Sequence, residues 1–152
     1  MLDGGADDDR LAGGAGDDSL HGGTGGDRLD GGPGNDALYA DSGPDRLTGG
    51  SGDDTIYANT GGAVAAVDCG PGDDAITGGT GANTIRGGGG RDVIRLRGRA
   101  RNVIDAGAGD DDDVQAVAGT RNVIRCGPGR DKVTAHRTDR IAHDCERVSR
   151  RP

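Results

Sequence analysis

The sequence predicts an all-β fold built from short stacked repeats, and excludes a domain packed around one thick core. Two facts of composition and one periodicity predict it. Of 152 residues 33 are Gly, Phe and Trp are absent, and Tyr occurs twice. Without large aromatics a chain of this length cannot fill an interior between two thick layers, so the fold must be thin and made largely of backbone. Glycine and charge at these levels also describe disorder, and a fixed glycine period is what separates the two. Aligned at nine residues, the chain reads GGADDDRLA from Gly4, then GGAGDDSLH, GGTGGDRLD, GGPGNDALY, ADSGPDRLT and GGSGDDTIY, ending at Tyr57.

After an irregular unit, Ala58 to Asp68, come CGPGDDAIT from Cys69, GGTGANTIR from Gly78 and GGGGRDVIR from Gly87. From Leu96 the unit lengthens to LRGRARNVID, AGAGDDDDVQ and AVAGTRNVIR, returns to CGPGRDKVT at Cys126, and leaves an Arg-rich tail. The pattern G-G-x-G-x-D-x-U-x, with U a large aliphatic residue, resembles the RTX, or hemolysin-type, calcium-binding nonapeptide repeat. The resemblance implies a parallel β-roll (a right-handed β-solenoid) with two repeats per coil, each G-G-x-G-x-D loop turning the chain and each x-U-x forming a short strand. The residues agree with that reading. Loop glycines permit positive φ and close backbone approach, and one aliphatic per unit fits a strand with a single inward side chain. Leu11, Leu20, Leu29, Leu38, Leu47, Ile56, Val67, Ile76, Ile85, Ile94, Ile104, Val114, Ile124, Val133 and Ile141 would form two inward ladders.

Charge divides the chain. Residues 1–76 hold 16 Asp against 3 Arg, whereas residues 77–152 hold 15 Lys plus Arg against 10 acids. Compacting the first half brings carboxylates together without counter-charge, so that half needs either an unfolded state or bound cations. On the roll, alternate sixth-position residues share an edge. One edge stacks Asp9, Asp27 and Asp45, the other Asp18, Asp36, Asp54, Asp74 and Asp92, with neighbours about 4.8 Å apart. Calcium suits such a stack because it accepts six to eight oxygens, backbone carbonyls included, whereas magnesium demands tight octahedral order. The resemblance implies the same ion, held by Asp carboxylates and loop carbonyls. Adjacent pairs number two on the first edge and four on the second, hence roughly six calcium ions. Gly4, Gly13, Gly22, Gly31, Gly49 and Gly78 are the candidate carbonyl donors. The fifth-position Asp8, Asp17, Asp53 and Asp73 either assist or face solvent.

In the second half the first edge carries Asn83, Asn102 and Asn122, an amide ladder able to hydrogen-bond without metal. The other edge keeps Asp92, Asp112 and Asp131, with Arg91 and Arg130 preceding two of them, either as substitute counter-charge or as part of a basic surface. The chain thus divides into a calcium-binding roll (1–95), a divergent solenoid extension (96–134) and an Arg-rich cap or tail (135–152). Cys126 and Cys145 lie 19 residues apart, close to one coil, and a bridge between them would pin the tail; Cys69, three coils away, stays free.

Catalysis finds no support. His21, His136 and His143 form no H-E-x-x-H, no Ser lies in a G-x-S-x-G context, and the paired Asp are assigned as calcium ligands. No apolar run is long enough to span a membrane, Met1 to Gly5 carries no cleavable export signal, and the net charge of -8 argues against nucleic acid. The reading is an extracellular, secreted, non-catalytic calcium-binding module that folds on calcium. One alternative is an adhesive module for anionic polysaccharide or cell surface, through a basic face of Arg86, Arg95, Arg97, Arg99, Arg101, Arg121 and Arg125. Another is a repeat region detached from a secreted hydrolase or toxin. The start in mid-repeat reads as a fragment lacking an upstream domain, and open coil ends invite end-to-end self-association.

Overall fold

The computed structural model describes residues 1–58, 63, 65–110, 113–116 and 121–151. Asp112 lies outside the described residues. The first strands are β1 (Leu2–Ala6), β2 (Arg10–Ala12), β3 (Ser19–Thr24), β4 (Arg28–Pro33), β5 (Ala37–Tyr39), β6 (Arg46–Ser51), β7 (Thr55–Ala58) and β8 (Ala66–Pro71). Then follow β9 (Ala75–Gly78), β10 (Thr84–Gly89), β11 (Val93–Leu96), β12 (Val103–Ala108), β13 (Asp113–Ala116), β14 (Val123–Arg125), β15 (Lys132–His136), β16 (Arg140–Ile141) and β17 (Arg147–Arg151). Odd-numbered strands form a nine-stranded sheet and even-numbered strands an eight-stranded one, with parallel pairing throughout the described strands. The chain is an all-β parallel solenoid of about eight turns with two repeats per turn. Among the described residues no helix is long and apolar enough to cross a membrane.

The nine-residue period places the core. In the nine-stranded sheet Leu20, Leu38, Ile56, Ile76, Ile94, Val114 and Val133 stack in register. In the eight-stranded sheet Leu11, Leu29, Leu47, Val67, Ile85, Ile104, Ile124 and Ile141 do the same. All are buried except the half-buried Ile141. Leu2 and Val148, at the ends of the first ladder, extend it.

The reading of one inward side chain per unit needs correction. Strands alternate, so the sixth, eighth and next first positions all point inward. Where the first position is not Gly it adds to the core: Ala40, Ala58, Cys69, Leu96, Ala106, Ala116, Cys126 and Ala135 are all buried. The strands are also longer than x-U-x. They continue through both opening glycines of a loop, with Gly5 opposite Gly23, Gly32 opposite Gly50 and Gly88 opposite Gly107. The turn proper is confined to the residues after them. Gly32 and Gly34 show why glycine recurs there: φ is +102° and +141°, and a Cβ would strike the carbonyls of Gly14 and Gly16 in the neighbouring coil. The tail, too, joins the solenoid, since β16 and β17 supply the last strand of each sheet.

Candidate metal centre

The two edges of the roll carry the sixth-position residues, and the ladder register aligns them. The Asp9 N–H donates to Asp27 Oδ1 (2.9 Å) and the Asp27 N–H to Asp45 Oδ1 (2.9 Å) on one edge. On the other, Asp18, Asp36, Asp54 and Asp74 donate to Oδ1 of Asp36, Asp54, Asp74 and Asp92 at 2.7–3.0 Å. Each of the six pairs read from the sequence is therefore one backbone-to-carboxylate rung.

The second oxygen of these carboxylates has a different fate. Oδ2 of Asp9, Asp27, Asp36, Asp45, Asp54 and Asp74 is buried without a hydrogen-bond partner. A buried carboxylate oxygen with no donor is costly, so it calls for either a proton or a cation. The environment excludes any donor. Beside Gly4, a Cβ would stand 2.6 Å from the Gly22 carbonyl oxygen and 2.8 Å from Asp9 Oδ2. Beside Gly13 the same two contacts come from Gly31 (2.7 Å) and Asp18 Oδ2 (2.9 Å). Gly22, Gly31 and Gly49 repeat the arrangement with Asp27, Asp36 and Asp54 and the carbonyls of Ala40, Gly49 and Cys69. Carboxylate and carbonyl oxygens thus converge where any side chain would stand. Convergent acceptors without donors fit a hard, oxygen-seeking cation.

Gly78 differs from the other candidate glycines. A Cβ there would meet Leu96 Cδ2 and Asn83 Nδ2, with no carboxylate near. At Asp74 the first position is Cys69, so its side chain stands where the other pairs have open space. Five of the six pairs keep the glycine cradle.

Burial pushes Asp45 above the usual carboxylate range, and Asp54 and Asp74 up to about 6. The neighbouring carboxylates push the same way, while the donated backbone N–H opposes them.

The fifth-position acids are exposed and make a second set of rungs in the opposite direction. Oδ1 of Asp8, Asp17, Asp53 and Asp73 accepts the N–H of Gly26, Asn35, Asp73 and Arg91 at 2.7–2.8 Å. Asn35 fills the same role for Asp53 (2.8 Å). One oxygen of each acid is thereby committed to the neighbouring coil.

Asn83, Asn102 and Asn122 are buried and repeat the Oδ1 rung: Asn83 N–H to Asn102 Oδ1 (2.8 Å), Asn102 N–H to Asn122 Oδ1 (2.9 Å). Here the second side-chain atom is a donor. Asn83 Nδ2 donates to the Gly81 carbonyl (3.0 Å) and Asn102 Oδ1 (3.1 Å), and Asn102 Nδ2 to the Ala100 carbonyl (2.9 Å) and Asn122 Oδ1 (3.1 Å). The side-chain amides of Asn83 and Asn102 are thus satisfied without metal, whereas Asn122 Nδ2 is buried without a partner.

Two residues missed in the sequence close the edges. Asp139 Oδ1 accepts the Asn122 N–H (2.8 Å) and its Oδ2 the His136 N–H (2.9 Å), while Glu146 accepts the Asp131 N–H (2.8 Å). Both stand two residues before an aliphatic, Ile141 and Val148, the same D-x-U spacing with its glycines gone. Arg91 and Arg130 are exposed whereas Asp92 and Asp131 are fully buried. Cys126 and Cys145 form a disulfide with Cα atoms 5.2 Å apart, and Asp144 accepts the N–H groups of Cys126 and Gly127 beside it. Cys69 is a free thiol that burial pushes far above its usual range. The seven arginines read as one basic face do not share one: Arg86 and Arg125 lie in the eight-stranded sheet, Arg95 in the nine-stranded sheet, and Arg97, Arg99, Arg101 and Arg121 in the turns of the Asn edge. Alternation along two sheets and their turns scatters what looks clustered in sequence.

The family model for the RTX calcium-binding nonapeptide repeat (4 copies) matches residues 3–38, 30–62 and 70–97. No curated protein and no solved structure matches the chain. The matched segments cover more than half of the chain and the Asp edges described above, and the chain belongs to the RTX calcium-binding nonapeptide repeat family.

Proposed function

We propose that this RTX chain is a secreted, non-catalytic module whose acidic half, residues 1–95, folds only when calcium fills the gaps between stacked Asp loops. The observation that carries the reading is the set of six buried Oδ2 atoms, each without a hydrogen-bond donor, four of them, on Asp9, Asp27, Asp36 and Asp54, beside carbonyl oxygens. Asp9, Asp18, Asp27, Asp36, Asp45, Asp54, Asp74 and Asp92 would hold about six ions, the pair capped by Cys69 being the weakest. Residues 96–134 would be a metal-independent extension and 135–152 its cap, closed by Asp139, Glu146 and the Cys126–Cys145 bridge. Because the ion binds the folded state alone, each site adds stability by mass action. Low cytosolic calcium would leave the acidic half unfolded for export, and extracellular calcium would fold it. On this reading the paired carboxylates would serve as ligands rather than as an acid and base.

Calcium titrated into the EGTA-stripped protein, followed by far-UV circular dichroism with magnesium as control, tests this. A cooperative, calcium-specific gain of β-structure is expected. A spectrum already β-rich and indifferent to calcium would overturn it.

A further inference from the structure

Residues 1–76 contain three basic side chains among 16 Asp, and all three stand in one row. Arg10 pairs with Arg28 and Arg28 with Arg46 across β2, β4 and β6, all three pointing outward and exposed. Their strands are about 4.8 Å apart, a spacing at which like charges facing one another destabilise a sheet. Among the described residues none of the three has an ion pair or a side-chain hydrogen bond. Together with Asp8, Asp9 and Asp27 they line an open groove of about 670 Å³ beside the first metal edge.

Calcium changes the balance of that groove. Without metal, the carboxylates of Asp8, Asp9, Asp27 and Asp45 outweigh the three guanidiniums. Two ions at the Asp9–Asp27 and Asp27–Asp45 pairs would cancel those four negative charges and leave the three guanidiniums in excess over the one flanking carboxylate, Asp30. We propose that the calcium-loaded row is a binding comb for a linear acidic glycan lying along the solenoid axis, its carboxylate or sulfate groups engaged by successive guanidiniums. Guanidinium matches such oxyanions in bidentate fashion, and three in-register groups gain by multivalency what one exposed pair lacks. The flanking outward row, Asp30 and Thr48, supplies partners for sugar hydroxyls. Single-stranded nucleic acid would call for aromatic stacking platforms. The aromatic rings, His21, Tyr39 and Tyr57, stack on the other sheet instead. The proposal rests on the calcium-filled roll.

The test uses the full chain with sulfated heparin di-, tetra- and hexasaccharides and carboxylate-only hyaluronan oligomers, measured by calorimetry in calcium and in EGTA. Affinity should rise with oligomer length, vanish in EGTA, and fall about tenfold or more in the triple variant Arg10→Gln, Arg28→Gln, Arg46→Gln. The triple variant Arg97→Gln, Arg99→Gln, Arg101→Gln, in the Asn-edge turns, should change it by less than about twofold. Circular dichroism of each variant reports whether calcium still folds it, so a failed calcium response counts against the metal reading and not against the comb. Should the triple variant not fold, Arg28→Gln is compared with Arg28→Lys, and the comb requires weakening in the first and partial retention in the second. Wild-type affinity in a row variant that folds normally, or loss of binding in the turn variant, overturns the proposal.

Discussion

The Asp column and the Asn column are one backbone design with a single atom exchanged. In both, Oδ1 accepts an N–H from the neighbouring coil at 2.7–3.0 Å. In the Asn column, Nδ2 donates to the turn carbonyl two residues before it, so acceptor meets donor. In the Asp column, Oδ2 takes that place and stands among acceptors. What Nδ2 supplies through its hydrogens, a proton or a cation must supply between carboxylate and carbonyl. A roll can therefore be made calcium-dependent or calcium-independent coil by coil, without altering its register.

The widest separation of the two halves should come from removing calcium. Amide exchange should accelerate by orders of magnitude at Leu20, Leu29, Leu38 and Leu47, while Ile104, Ile124 and Val133 keep their protection; equal loss in both halves would break the comparison.

Asn102→Asp tests the exchanged atom in the other direction. It buries a charge facing the Ala100 carbonyl, and should cost about 3–5 kcal/mol in denaturant unfolding at pH 7. Calcium should not rescue it, because Leu96 fills the first position of that unit.

Acid should substitute for metal. Asp54 and Asp74 have folded pKa values of about 6 against an unfolded value of 3.8. A raised carboxyl pKa gives stability that is present below the unfolded value and lost as pH rises through the folded one. The calcium-free protein should thus gain β-signal as pH is lowered from 7.5 to about 4.5, while its calcium affinity weakens below about 6. A flat β-signal would show that the Asp column is not what holds the apo chain open.

Gly31→Ala places a methyl against Asp36 Oδ2 and the Gly49 carbonyl. It should lower the stability of the calcium-loaded protein by about 1–3 kcal/mol, read from thermal melts. The smallest effect is expected at Asp7, which holds φ +80° where later units have Gly. Asp7→Gly should raise stability by up to about 1 kcal/mol by releasing that strain.

Much of this was legible because a period of nine leaves little freedom. The RTX resemblance implies two units per coil, so residues about 18 apart stack, and Leu29 over Leu11 or Asp27 over Asp9 follows from that resemblance and the period together. The first position escaped because glycine has no side chain to betray which way it faces; Ala40, Cys69, Leu96 and Ala106 reveal it only once burial is known. Asp139 and Glu146 escaped because the glycines that advertise a unit are gone, although the acid and the aliphatic two residues later remain. The basic face dissolved because sequence proximity from Arg95 to Arg101 spans a strand, a turn and an edge.

Sequence determined the period, the division of charge between the two halves, and that backbone rather than side-chain bulk builds the fold, since periodicity and charge are properties of the chain; with the RTX resemblance it also determined which residues stack. Tertiary structure decided which atoms face each other. It committed one oxygen of Asp27, Asp36 and Asp54 to the neighbouring coil's N–H and left the other beside a carbonyl. Inter-coil hydrogen bonds are made across about 18 residues, and no local pattern specifies which lone pair they use.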